Sequence, residues 1–308
     1  MPMARVAYRL TTLLIIAAVP PLRGKSALTQ HDALQSLLKR ERTLGGVGTE
    51  KHAQWIIKSI KSIVEQGGCG ALNGSFVSPA GYVWPSARYG NVGDGGWYLC
   101  ASPELRSPSC TIYSVGIGFD FSFDHAAASL LPHCQVHMMD PTPTVISMYK
   151  HTSKALPYGV PPNLHFHAWG VGDHDHDVTM NNWWTEHSMN ANQNRIILSK
   201  GKAAANTPSS ILTLSSIARR LGYSTPPTVL KLDVEGAEWE LVSILPTCGA
   251  QQLMFELHGK AERWLPLLSA LAGNGGYRLW RVEEAWYRVD NSTGKAVASI
   301  VLYLYKTQ

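Results

Sequence analysis

Three acids crowd the stretch Lys231-Leu232-Asp233-Val234-Glu235-Gly236-Ala237-Glu238. The apolar run Thr228 to Leu232 reads as a buried strand, so Asp233 and Glu235 stand at its carboxyl end. Open α/β sheets bind ligands just outside those ends. A carboxylate there can hold an ammonium group or take a proton from a hydroxyl. A second apolar run, Gln252 to Leu257, closes on Glu256-Leu257-His258-Gly259. A histidine beside a carboxylate is a candidate general base, because imidazole titrates near neutrality. Asp233 and His258 are therefore the candidate catalytic residues. Glu235 or Glu238 assists them, unless Glu238 faces solvent on the helix that follows.

Upstream, Ile112-Tyr113-Ser114-Val115-Gly116-Ile117-Gly118-Phe119-Asp120 is a strand entering a glycine turn, with a helix from Phe123 to Leu131 behind it. Glycine lets backbone approach a ligand where a Cβ would collide, and the helix start offers free N–H groups. A dinucleotide fingerprint needs a third glycine at the place Phe121 occupies, which disfavours a nicotinamide dinucleotide. The next strand, Gln135 to Met139, ends in Asp140, 24 residues after Gly116. That is near the roughly 20-residue spacing of a carboxylate that accepts both ribose hydroxyl protons. The third strand, Asn163 to Ala168, leads into Trp169, a candidate to stack on an adenine ring or to sit in the core. Asp173-His174-Asp175-His176-Asp177 has the residue types of a metal site, but its setting reads as polar loop, and no metal is expected.

These residues need a scaffold. Strands are expected at 111–116, 135–139, 164–168, 228–232, 252–257, 277–286 and 297–305, with helices at 122–131, 143–155, 209–221, 236–245 and 260–273. Five strands alternating with helices, then a hairpin turning near Asp290 to Gly294, give a mostly parallel α/β sheet with an antiparallel edge. Residues 1–25 read as a leader, 26–66 as a helical stem or cap, and 67–308 as the main domain. Within 26–66 the clearer helix starts after Thr49, where Ala53, Ile56, Ile57, Ile60 and Val64 fall at helical spacing. Residues 170–208, with Trp183 and Trp184, read as an insertion over the site.

The formal charge of +5 is misleading: Arg5, Arg9, Arg23 and Lys25 supply four of it, leaving 23 basic against 22 acidic residues. That remainder makes no case for a nucleic-acid partner. Leu10 to Val19 is an apolar run shorter than the roughly 20 residues of a membrane span, behind basic Arg5 and Arg9. It reads as a signal peptide or short signal anchor, so a membrane association arises only if the leader stays uncleaved. The expected compartment is the secretory pathway. Five cysteines without a CxxC pair fit that reading and leave at least one thiol free when oxidised. Cys110 and Cys134 precede the first two core strands, neighbours in the sheet, so the geometry allows a disulfide between them, with buried apolar thiols as the alternative. Asn73-Gly74-Ser75 and Asn291-Ser292-Thr293 are glycosylation sequons.

Gly93-Asp94-Gly95-Gly96-Trp97, "YSVGIGFDFSFD" from Tyr113 to Asp124, "MDPTP" from Met139 to Pro143 and "KLDVEGAEWE" from Lys231 to Glu240 occur in one order. Together they resemble the class I S-adenosylmethionine-dependent methyltransferases, in particular the FkbM-type and methyltransferase-like domains, over about 90–305. The resemblance implies a Rossmann-like seven-stranded sheet of order 3-2-1-4-5-7-6 and S-adenosyl-L-methionine as cofactor. It maps Gly116, Gly118 and Asp140 to the cofactor, with Asp120, Trp169 and Asp94 as further candidates, and Asp233 near the reaction centre. Asp120 stands where many of these enzymes have a third glycine. The expected activity is O-methylation of a hydroxyl on a glycan or small metabolite. The alternative is a secreted binding protein that keeps the fold without catalysis.

Overall fold

The structure is a computed structural model that describes residues 29–41, 50–64, 69, 76–77, 83–84, 86–92, 95–155, 159–180, 207–259, 261–289 and 296–307. The leader, both sequons, Asp94, Trp183, Trp184 and the 290–294 turn lie outside the described residues. Among the described residues no helix is long and apolar enough to cross a membrane.

The centre is a seven-stranded sheet. Its strands are β1 Thr111–Val115, β2 Gln135–Met139, β3 Leu164–His167, β4 Val229–Leu232, β5 Gln252–Gly259, β6 Tyr277–Val289 and β7 Ala296–Lys306. In these labels the order is β6-β7-β5-β4-β1-β2-β3. Strands β3, β2, β1, β4 and β5 run parallel, and β7 is antiparallel to both neighbours. This is the order 3-2-1-4-5-7-6 that the methyltransferase resemblance implies. Every residue of β1 and β4 is buried, as expected of parallel strands covered on both faces.

The helices are α1 Gln30–Glu41, α2 Glu50–Ser62, α3 Ser122–Leu130, α4 Pro143–Ala155, α5 Leu214–Leu221 and α6 Trp264–Gly273. One apolar cluster joins α1, α2, α5 and α6 to the sheet face carrying Tyr113, Leu230, Phe255 and Leu302. A second joins α3 and the hairpin of Ser86–Tyr89 and Trp97–Cys100 to the face carrying Ile112, Met138, Val229 and Met254. Ala53, Ile56, Ile57 and Ile60 form the buried stripe of α2, as their spacing predicts. Gln30 on α1 acts as a strand surrogate: its amide accepts from Leu279 N at 2.7 Å and donates to Leu279 O at 2.9 Å on the edge strand β6. Edge groups left bare invite pairing with other chains.

Two expected helices differ. The segment 209–221 is helical only from Leu214, where the Thr213 hydroxyl caps Ser216 N. Thr207–Leu212 is instead a strand, antiparallel to His176–Met180 and parallel to Trp169–Val171. The segment 236–245 holds only a short 3-10 turn, Ala237–Glu240, because Glu235 (φ 53) and Gly236 (φ 107) take the backbone out of the helical region. Of the two readings for Cys110 and Cys134 the disulfide is present; Cys69–Cys100 is a second, and Cys248 is the free thiol.

Candidate active site

The carboxyl ends of β1, β2 and β4 meet at the glycine turn. Val115 lies opposite both Met139 and Leu232, so the residues after each emerge together. Gly116 has φ 73, and a Cβ there would come 1.7 Å from the carbonyl oxygen of Asp233. Glycine is thus required by close approach of the β4 tip. Gly118 has φ 55, but a Cβ there would meet nothing within 4 Å. The turn is packed on its inner side and open on its outer side, as a loop that cradles a ligand needs to be.

Asp140 fixes this turn. Its Oδ2 accepts from Ile117 N at 3.2 Å and Gly118 N at 3.1 Å, and its Oδ1 accepts from Thr142 N at 2.9 Å. The residue is 4% exposed. Burial pushes its pKa up, against the pull of these amides. The sequence points to a ribose ligand at this position; the structure adds that the carboxylate clamps the glycine turn to the end of β2.

Asp120 is similarly engaged. Its Oδ1 accepts from Ser122 N at 2.8 Å at the start of α3, and its Oδ2 accepts from Asn91 Nδ2 at 2.8 Å. Ser122 Oγ in turn donates to Gly95 O at 3.3 Å. The glycine-rich loop before Trp97 is thereby tied to the helix that follows the Gly116–Gly118 turn. Trp169 stacks on His167 with centroids 4.4 Å apart, and Arg220 lies over its ring at 5.6 Å. Both contacts hold it among its neighbours at the end of β3.

Asp233 and His258 come together with Glu235, Glu238 and Glu256. Glu238 is fully buried; it accepts from His258 N at 2.6 Å and from Gly236 N at 2.7 Å. Its Oε1 is also 3.1 Å from His258 Nδ1. The solvent-facing alternative for Glu238 is thus overturned. On the other ring nitrogen, Nε2, Glu256 Oε1 lies at 3.3 Å and Glu235 Oε2 at 3.6 Å. Ser299 Oγ donates to Glu256 Oε1 and orients it. Burial alone would lower the pKa of His258, but the Glu238 and Glu256 carboxylates outweigh it and push it up to about 11. At neutral pH the ring is an imidazolium, so it is placed as the sequence predicts but in the wrong protonation state for a general base. Burial, with the nearby charges of Glu256 and Glu235, pushes Asp233 up to about 7 despite Lys231 and His258.

Sequence reasoning passed over Lys231. Its Nζ donates to Gly116 O at 2.8 Å and lies 5.0 Å from the Trp97 ring centroid. It joins the Gly116–Gly118 turn, the β4 tip and the glycine-rich hairpin, and it is 4% exposed. A lysine facing inward from an apolar strand, two residues before Asp233, was the readable signal. Asp124 on α3 was also missed: it is 1% exposed, its Oδ1 has no partner, and burial pushes it up to about 6 against the charge of Lys231.

Asp175 in the Asp173–Asp177 run proves structural rather than unordered. It accepts from Thr213 N at 2.7 Å and Ser216 Oγ at 2.5 Å, fastening the start of α5.

A family model described as a methyltransferase domain matches residues 78–272, which include the glycine turn, Asp140, Asp233 and His258. The chain belongs to this methyltransferase domain family. No curated protein matches it. Similar solved structures include a precorrin-6y C5,15-methyltransferase from Geobacter metallireducens, 9% identical at a TM-score of 0.37, covering 66% of this chain and 84% of that one. An rRNA methylase from Streptococcus thermophilus is 8% identical at 0.34, covering 67% and 93%. A fibrillarin pre-rRNA processing protein from Methanococcus jannaschii is 8% identical at 0.33, covering 76% and 88%. Likenesses this remote say nothing about the acceptor, and the methyltransferase assignment rests on the family match.

Proposed function

We propose that the chain transfers the methyl group of S-adenosylmethionine to a hydroxyl of a glycan or small metabolite in the secretory pathway. The observation that carries this is the contact between Gly116 and the Asp233 carbonyl. It joins a turn with an open ligand-facing side to a carboxylate set at about pH 7 on the same sheet edge. The FkbM-type resemblance of "KLDVEGAEWE" supports the same reading. The leader and two disulfides support the compartment, since disulfides persist in oxidising lumens. S-Adenosylmethionine carries an activated sulfonium and no pyrophosphate, which suits a turn with Phe121 in place of the third dinucleotide glycine.

In this reading Gly118 faces the cofactor, Asp140 presents the turn and reaches the ribose edge, and Asp120 holds the adjoining hairpin. Trp169, at the end of β3, flanks the cofactor. The acceptor oxygen attacks the methyl carbon in line; an O–C bond forms, the S–C bond breaks and S-adenosylhomocysteine leaves. The hydroxyl proton passes to the Asp233 carboxylate, a base matched to neutral pH. Alignment of oxygen and methyl accounts for most of the acceleration, since near-attack geometry is worth about 7–11 kcal/mol in ideal cases. His258 is a positioning residue that holds Glu256 and Glu238 and lowers the pKa of Asp233 through its charge. The rival, a non-catalytic binding protein with the same fold, predicts no turnover. The test is release of S-adenosylhomocysteine across a panel of glycans and hydroxylated metabolites, with Asp233→Asn as control. Turnover lost in the variant while cofactor affinity holds supports the proposal; full activity in the variant removes Asp233 from the mechanism.

A further inference from the structure

Beyond the acid–base roles, the same carboxylates surround an imidazole in a way that suits a cation. Leu232 of β4 lies opposite Phe255 of β5, so Asp233 emerges beside Glu256, and His258 is two residues further along the same face. One ligand atom from each of Asp233, Glu256 and His258 lies within 4.8 Å of the others.

The surroundings of these atoms are organised as an outer shell. His258 is 3% exposed, and its Nδ1 lies 3.1 Å from Glu238 Oε1. Its Nε2 faces the cluster, paired with Glu256 at 3.3 Å and with Glu235 at 3.6 Å. A carboxylate on one imidazole nitrogen that leaves the other for a cation is the usual backing of a histidine ligand. Glu256 is itself oriented by Ser299 Oγ. The Asp233 carboxyl is half-buried and accepts no hydrogen bond among the described residues. Asp233, Glu235, Glu238 and Glu256 gather four carboxylates around the ring, with Lys231 the neighbouring cation, and a metal ion bound at Nε2 takes the place of the proton that His258 otherwise holds there.

We propose that Asp233, Glu256 and Nε2 of His258 bind a divalent transition-metal cation, with Glu235 as the adjoining carboxylate. Mixed carboxylate and imidazole donors favour Mn²⁺ or Zn²⁺ over the all-oxygen sites of Mg²⁺ or Ca²⁺. This rests on the methyl-transfer reading only for its purpose: the cation would hold the acceptor hydroxyl oxygen and make its proton easier to lose. Asp233 bound through one oxygen keeps the other for that proton.

The test uses the full chain treated with a chelator and carrying His174→Ala and His176→Ala. These substitutions remove an exposed pair of stacked imidazoles, 4.4 Å apart, that would bind metal nonspecifically. Mn²⁺ is titrated and the free ion followed by its paramagnetic resonance signal. A single saturable site is expected, with affinity falling about 10–100-fold in Glu238→Gln, the loss typical of an outer-shell partner. At least as large a loss is expected in Asp233→Asn and in Glu256→Gln. S-Adenosylhomocysteine affinity is measured on the same samples. Cofactor binding without saturable Mn²⁺ binding overturns the metal site alone, as does Mn²⁺ affinity unchanged in Asp233→Asn and Glu256→Gln. Loss of cofactor binding in the parent chain counts separately, against the methyl-transfer reading.

Discussion

Replacing Asp140 with asparagine separates the clamp this carboxylate puts on the glycine turn from the ribose contact proposed for it. In the structure its two oxygens accept three backbone N–H groups, those of Ile117, Gly118 and Thr142. Asparagine keeps one acceptor oxygen and turns an N–H₂ toward the other side. At least one buried amide then loses its partner, and an unsatisfied buried donor costs about 1–3 kcal/mol. Relief of the buried charge, whose pKa is already raised, offsets part of this. A net loss of about 2 kcal/mol lowers Tm by about 4–8 °C in a domain of this size class. The assay is thermal unfolding with and without S-adenosylhomocysteine, alongside calorimetric affinity. The clamp predicts a Tm drop in the ligand-free protein, with an affinity loss of about tenfold or more because the cofactor turn is no longer held. An unchanged Tm with a large affinity loss would refute the clamp and leave only the ribose role. A lowered Tm with unchanged affinity would remove the ribose role.

Other outcomes follow from the same contacts. The two turn glycines should behave differently in thermal unfolding and S-adenosylhomocysteine titration. Gly116→Ala places a methyl group 1.7 Å from the Asp233 carbonyl and should abolish both a stable fold and cofactor binding. Gly118→Ala meets open protein space, so its unfolding midpoint should fall only slightly, by the about 1–2 kcal/mol of left-handed strain, while cofactor affinity drops sharply. Turnover should rise with pH through about 7 as Asp233 ionises, and the limb should move to higher pH in His258→Gln, which removes a charge that lowers that pKa. A limb in the same place for both proteins would exclude Asp233 as the titrating base. His258 is raised from 6.5 to about 11, so its stabilising contribution is complete below pH 6.5 and is lost as pH climbs toward 11. Chemical denaturation across that window should show a shallower decline in His258→Gln. Removing the Cys110–Cys134 bridge, which closes a 24-residue separation, should cost about 3 kcal/mol, read as a Tm difference between the native protein and a Cys110→Ala/Cys134→Ala variant.

The sheet was legible because its strands are short apolar runs with glycine, proline or acidic punctuation, and buried parallel strands have that composition. The Cys110–Cys134 bridge followed from the same frame, since neighbouring strands bring their first residues together. The turn after β4 was not legible as backbone. "VEGAEWELV" has helical composition, yet Glu238 draws the amides of Gly236 and His258 to one buried carboxylate and Glu235 adopts a left-handed φ of 53. A long-range hydrogen bond outweighed local propensity there. The segment before α5 misled in the opposite way: Thr213 is a readable N-cap, and reading it would have separated the strand Thr207–Leu212 from the helix. Gly116, Gly118, Asp140 and Asp233 were placed at strand ends from the sequence, and the structure sets them on one edge of the sheet. The state of His258 was not, because its charge depends on Glu238, twenty residues earlier in the chain. Glu256 and His258, two apart on one strand, share a face, and that spacing was the available sign of a cluster.

The measurement closest to the central claim is calorimetric titration of the folded, oxidised chain with S-adenosylhomocysteine, and separately with NAD. Saturable micromolar binding of the first and no heat from the second is the predicted result. A well-folded sample that gives no heat with S-adenosylhomocysteine would contradict the methyl-transfer account and favour a binding protein that retains only the fold.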